Sequence, residues 1–244
     1  DLQAALADDG VKAIWCARGG YGTVRLMEQV DLSILLKKPK WIVGFSDVTV
    51  LHSALHNMGM ASLHAQMPFN IAGKSTGCVD TLKAVLFGAA MAIERPSSGA
   101  ENGTTRDRIG SCEGQLVGGN LSILYALRGT PYDLDTKGKI LFIEDLDELL
   151  YHVDRMVMNL KLGGLFNDLA GLVVGTMTDM HDKNPADPVG QSAEEMIQDA
   201  VKDKGYPVCF NFPAGHIADN RALALGQKAK LNVTREGASL SFVN

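Results

Sequence analysis

The chain is predicted to be an α/β protein: a mostly parallel sheet covered by helices, followed by a second, mixed α/β segment. Three observations predict this. The first ninety residues alternate short β-branched apolar runs with segments of helical period, the pattern of strands joined by crossover helices. Residues 94–114, ERPSSGAENGTTRDRIGSCEG, then break the pattern with Gly, Ser, Thr, Asn and charge, and read as a long loop or linker. Beyond them strand and helix patterns resume and end in a hairpin. The expected organisation is an N-terminal domain at 1–90, a linker at 91–112 and a C-terminal domain at 113–244.

The opening DLQAALADDG reads as a start inside a helix. VKAIWCA (11–17) reads as a strand, RGGYG (18–22) as a loop and TVRLMEQV (23–30) as a helix. Trp41, Ile42, Val43 and Phe45 form a bulky apolar run suited to a central strand. Val48, Leu51, Leu55 and Ala54 then recur at helical spacing. ASLHA (61–65) is a further short strand, and VDTLKAVLFGA (79–89) a helix. In the second half GKILFIEDLDE (138–148) is a strand ending in acid, DRMVMNLKLGG (154–164) an amphipathic helix and AGLVVGT (170–176) a strand. QSAEEMIQDAVKDKG (191–205) is a helix in which Ser192 and Glu195 have capping-box spacing and Gly205 is placed to end it. YPVCFNF (206–212) leads as a strand into Pro213–Ala214–Gly215, and QKAKLNVTREGASLSFV (227–243) reads as a hairpin turning near REG.

Composition narrows the function. Of 244 residues, 46 % are apolar and 21 % charged, ordinary for a chain with a real core. A net charge of −5 argues against a nucleic-acid binder, and no apolar run approaches membrane-spanning length. Cys16, Cys78, Cys112 and Cys209 lie far apart, without zinc-site spacing, and read as buried thiols of a cytosolic protein. Cys16, close to a glycine loop, is also open to a nucleophile reading, although its apolar neighbours suit a mid-strand core position.

The best chemical lead is Ser46, on the seam between strand and helix in PKWIVGFSDVTVLHSAL (39–55), with Gly44 two residues earlier. Such a turn lifts a hydroxyl above the sheet beside free helix N–H groups that can bind an oxyanion. A plain helix N-cap is the competing reading. The G-x-S-x-G elbow is not met, because Val48 occupies its last glycine position. A nucleophile needs a base and the base an orienter. Of six histidines, His216 follows a strand in a Pro-Ala-Gly loop, where open α/β sheets place their sites. His64 ends a strand near Ser46 and suits a supporting role. His52 and His56 read as surface or core-edge residues, and His152 and His181 as solvated ones. Glu144, the first acid after KILFI, could orient His216, or could be one solvated acid of EDLDE. The RGGYG glycines could bring backbone N–H groups to a substrate, but match neither the P-loop nor GxGxxG.

CARGGYGTVRLM, PKWIVGFSDVTVLH, GQLVGGNLSILYALRGTPYDLD, GKILFIEDLDELLYHVDRMVMNLKLGG and FPAGH together resemble the LD-carboxypeptidase family of serine peptidases, which includes murein tetrapeptide carboxypeptidases and microcin C immunity peptidases. The resemblance covers nearly the whole chain in five ordered blocks. It implies a flavodoxin-like or class-I-glutaminase-like N-terminal domain, preceded in family members by a further βα portion, and a cleft between the two domains. It implies Ser46 as nucleophile, Glu144 and His216 as its partners, and an oxyanion hole from the backbone N–H groups of Asp47 and Gly20. Arg18 and Arg155 are candidates for binding a substrate carboxylate. The implied reaction is release of terminal D-alanine from murein tetrapeptides in peptidoglycan recycling, by a cytoplasmic homodimer needing no cofactor or metal. Cleavage of peptidyl or aminoacyl nucleotides, as in microcin immunity, and silent muropeptide binding are the alternatives.

Overall fold

The computed structural model describes residues 1–97 and 106–242. The first part of the chain runs α1 (Leu2–Ala7), β1 (Ala13–Trp15), α2 (Thr23–Leu26), α3 (Ile34–Lys37), β2 (Trp41–Gly44), a 3-10 turn at Ser46–Val48, α4 (Thr49–Asn57), β3 (Ser62–His64), a second 3-10 segment at Pro68–Gly73 and α5 (Thr76–Leu86). It continues with β4 (Ala92–Pro96), β5 (Gly110–Asn120), α6 (Leu121–Ala126), β6 (Ile140–Leu146), α7 (Leu150–Leu162), β7 (Gly171–Thr178), α8 (Ala193–Ala200) and β8 (Val208–Cys209). The last strands are β9 (Leu223–Leu225), β10 (Lys228–Val233) and β11 (Gly237–Phe242).

Two sheets result. The smaller has the order β1-β2-β3-β9, its first three strands parallel and β9 antiparallel to β3. The larger has the order β4-β11-β10-β5-β6-β7-β8, parallel from β5 to β8 and antiparallel beyond β5 on the other side. Parallel strands covered on both faces need apolar residues at successive positions, which is why the run at 41–45 carries no polar alternation. Ile42 packs with Leu51 and Leu55 of α4, while Val43 faces Leu63 and Leu82 on the opposite side. The same division holds in β6. Leu141 and Ile143 pack on Val153, Met156 and Val157 of α7, and Ile140 and Phe142 pack against Phe212, Leu223 and Leu231. Full burial of side chains this size contributes roughly 1.5–3 kcal/mol each.

Two strands trade places between the halves of the chain. β4 forms an edge of the larger sheet against β11, and β9, late in the chain, extends the smaller sheet. The loop expected at 94–114 is corrected at both ends, because residues 92–96 and 110–114 lie in strands; residues 98–105 of that stretch fall outside the described residues. The pattern hid β4 because one of its two inward positions is Arg95, buried in an ion pair with Asp107. The helix expected at 23–30 is a single helical turn followed by tight turns. Helix α8 has the expected capping box between Ser192 and Glu195 but ends at Ala200, well before Gly205. Among the described residues no helix is long and apolar enough to cross a membrane.

Candidate active site

Ser46 sits where β2 gives way to α4, half-buried, with φ of 62°. A non-glycine residue in this left-handed region stores on the order of 1–3 kcal/mol of strain, and such residues cluster at functional sites. The N-cap reading is excluded: neither the 3-10 turn nor α4 has a side-chain cap, and the caps are Phe45 and Val48. Among the described residues the hydroxyl makes no cap bond. Gly44 is needed for packing, since a Cβ there would lie 2.9 Å from Val48 and 3.2 Å from Cys16. His52, expected near the surface, is instead buried behind the turn. Its Nε2–H donates to the Gly44 carbonyl (2.9 Å), so Nδ1 accepts from the Ser62 hydroxyl (2.9 Å). Burial pushes this imidazole down to about 4, keeping it neutral.

Glu144 and His216 meet. Glu144 is fully buried on β6, and His216 Nδ1–H donates to its Oε2 at 2.7 Å. In the neutral imidazole that bond puts the proton on Nδ1 and leaves the Nε2 lone pair available as a base. The pairing of β6 with β7 shifts register between Ile143 and Asp145, so Glu144 lies at an irregularity that re-aims its side chain. Gly215 reaches φ of 122°, and a Cβ there would come within 2.9 Å of Glu144 Oε2. The Gly215 N–H donates to the buried Asn220 side chain at 2.9 Å, which fixes the loop just before His216. The solvated alternative for Glu144 fails because β7 and this loop cover it. The next acid, Asp145, points elsewhere, accepting from Asn120 Nδ2 (2.7 Å) and the Ser122 N–H (2.8 Å) at the start of α6. Burial and the neighbouring Glu144 push its pKa up to about 7.

Both halves of the chain line one cavity of about 400 Å³. Its walls include Arg18, Gly19, Gly20, Phe45, Ser46 and His216, with Met67, Phe69, Asn70 and Leu146 completing it. The Phe45 ring lies 4.8 Å from the His216 ring. Among the described residues no hydrogen bond joins Ser46 to His216, so the two share the cleft as separate groups. Gly19 approaches Ser46 so closely that a Cβ would stand 3.1 Å from the serine Cβ. The backbone N–H groups of residues 18–22 find no acceptor within the described protein, and neither does that of Asp47. With Gly19 packed on Ser46, N–H groups of this loop and of Asp47 are left without a protein acceptor, as a site for a developing oxyanion requires.

The remaining candidates separate. The Arg18 guanidinium lies 6.0 Å from the centre of the Phe69 ring at the cleft mouth. Arg155 stacks on Tyr151 of α7 and does not line the cleft. His64 is buried beneath Phe45, its pKa pushed well down by burial and by His52 and His216. His152 bonds Glu148 at 2.7 Å, and His181 is exposed. Burial raises the Cys16 thiol, which lies outside the cavity, and this disfavours a thiolate there. Met67, Phe69 and Asn70 line the cleft without belonging to any motif readable in the sequence, whereas Gly19 lies in the RGGYG loop and Leu146 in EDLDE. Among the described residues no group of three His, Cys, Asp or Glu side chains is placed to hold a metal.

Comparison with known proteins identifies the family. Residues 1–65 match the LD-carboxypeptidase N-terminal domain and residues 113–231 the LD-carboxypeptidase C-terminal domain. The chain is 37 % identical to the probable murein peptide carboxypeptidase of Bacillus subtilis over 98 % of its own length and 74 % of that protein. It superposes on the crystal structure of muramoyltetrapeptide carboxypeptidase from Oxalobacter formigenes with a TM-score of 0.87 and 28 % identity, covering all of this chain and 82 % of the other. The microcin C7 self-immunity protein MccF, bound to aspartyl sulfamoyl adenosine, superposes with a TM-score of 0.82. Its 18 % identity, over all of this chain and 79 % of the other, shows a shared fold. With both family domains matched in order and a relative of this similarity along almost its full length, the chain belongs to the LD-carboxypeptidase family.

Proposed function

We propose that Ser46, Glu144 and His216 form a catalytic triad that releases terminal D-alanine from murein tetrapeptides by cleaving the L–D peptide bond. The single observation that carries this reading is the 2.7 Å bond from His216 to a fully buried Glu144, beside a strained serine in the same cleft. In the first half-reaction Ser46 Oγ bonds to the carbonyl carbon while its proton passes to His216 Nε2. The oxyanion is held by the N–H groups of Asp47 and Gly20. The C–N bond then breaks, and His216 returns the proton to the departing D-alanine amine. Water, deprotonated by the same nitrogen, hydrolyses the acyl-enzyme and restores Ser46. Glu144 holds the imidazole in the tautomer that both steps require. A carboxypeptidase must also grip a free carboxylate, and Arg18 is the cation at the cleft wall.

The names of the similar murein peptide and muramoyltetrapeptide carboxypeptidases support this substrate class. We place the reaction in cytoplasmic peptidoglycan recycling, carried out by a homodimer; light scattering of the purified protein checks the assembly. Ser46→Ala should abolish D-alanine release from a defined L,D-tetrapeptide without loss of fold, and retained release would sink the assignment. Faster turnover of a processed microcin than of the tetrapeptide would instead favour a nucleotide-peptide substrate. Absence of fluorophosphonate labelling would favour a silent binder.

A further inference from the structure

Asp47 contributes more than its backbone. Its carboxylate is buried, and Oδ2 accepts two hydrogen bonds from one residue, the Thr23 N–H at 2.8 Å and the Thr23 hydroxyl at 2.6 Å. Thr23 is the first residue of α2, immediately after the 18–22 loop. That loop contains Gly20 at φ 122° and Gly22 at φ 102°, and its own five N–H groups bond to nothing in the described protein. Its attachments are therefore few. At one end the Ala17 carbonyl accepts from the Phe69 N–H at 3.0 Å, and in the middle Gly19 packs on Ser46. At the other end it is held by Asp47. Backbone this rich in glycine loses much conformational entropy on ordering, so each attachment matters.

We propose that the Asp47 side chain is a positioning residue for oxyanion stabilisation, acting through Thr23. The residue after the nucleophile donates its N–H to the oxyanion, and its carboxylate clamps the wall that supplies the second donor. Both donors are thereby fixed from one backbone position, and the hole keeps its shape before substrate arrives. Preorganised donors act where charge develops, so losing the clamp penalises the transition state and spares ground-state binding. The inference rests on Ser46 being the nucleophile.

The test compares Thr23→Val, Asp47→Ala and Asp47→Asn with Ser46→Ala in the tetrapeptide assay. Thr23→Val should lower kcat about tenfold and Asp47→Ala about a hundredfold, each with KM within about twofold, the scale of weakening an oxyanion donor. Asp47→Asn, whose amide oxygen can still accept from Thr23, should recover part of the loss. Affinity for a peptidyl boronate, which forms a tetrahedral adduct on serine, should fall in step with kcat, while binding of the tripeptide product stays unchanged. The double variant Thr23→Val/Asp47→Ala should be no slower than Asp47→Ala alone. If Asp47→Ala does not fold, Thr23→Val decides the matter. The inference is overturned if Thr23→Val, and Asp47→Ala where it folds, keep kcat and boronate affinity at the unaltered protein's level while Ser46→Ala is inactive, or if the loss falls on KM alone. An active Ser46→Ala would remove the underlying nucleophile assignment instead.

Discussion

Replacing Glu144 by Gln tests the central geometry, because it changes one atom of a buried side chain that carries a single hydrogen bond. Glu144 Oε2 accepts from His216 Nδ1–H at 2.7 Å, and Oε1 has no partner among the described residues. In Glu144→Gln the amide can turn its NH2 toward the imidazole. The proton then moves to Nε2, and that nitrogen can no longer accept one. A wrong tautomer with the geometry intact costs about 10⁴-fold in kcat in the serine-protease template, equivalent to about 5 kcal/mol of lost transition-state stabilisation. Here the expected loss is about 10³–10⁴-fold in kcat with KM little changed, since Glu144 is fully buried and cannot touch substrate. The assay is initial-rate D-alanine release across substrate concentration, with thermal melting as the check on folding. Glu144→Asp separates charge from reach, and its shorter side chain should leave activity well below that of the unaltered protein. More than a tenth of normal kcat in Glu144→Gln would refute the orienting role.

Two further outcomes follow from the site. Asp145 has a folded pKa raised above its reference of 3.8 to about 7, first by burial and then by Glu144. A raised value means that its contribution to stability is complete below the unfolded pKa and is lost as pH rises through the folded one. The stability of the unaltered protein relative to Asp145→Asn should therefore fall between about pH 4 and pH 7, by on the order of a few kcal/mol, as read from denaturant melts; parallel curves would contradict this. Arg18→Ala should raise KM about tenfold or more, while turnover of a substrate whose terminal carboxylate is blocked as an amide stays unchanged, the pattern of a lost charge-assisted contact. Equal effects on both substrates would show that Arg18 does not read the carboxylate.

Much of this arrangement is written locally in the chain. Ile42 and Val43 are apolar on consecutive positions because β2 is covered on both faces, and that run led directly to Ser46. The elbow was legible, but its strained backbone was not, because serine carries no local mark of a left-handed conformation. Glu144 and His216 followed from lying just past apolar runs, while their pairing needed the family blocks, since 72 positions separate them. What stayed hidden was non-local. His52 looked like a surface residue because histidine is polar; Ser62 and the Gly44 carbonyl satisfy both ring nitrogens and let it sink. Strand β4 is held by its pairing with β11 and by the Arg95–Asp107 ion pair, neither of which periodicity can register.

The crossing of β9 into the smaller sheet has a consequence for the timing of synthesis. His216 lies on a strap that leaves β8 in one sheet and ends in β9, paired with β3 in the other. Residues 62–64 must wait as an open sheet edge until residues 223–225 leave the ribosome. Pairings this distant in sequence form late, because loop closure opposes them until other contacts reward it. Ser46 therefore leaves the ribosome long before His216 is anchored. Under the proposed triad, activity reports finished folding, and a translation product cut before β9 has none.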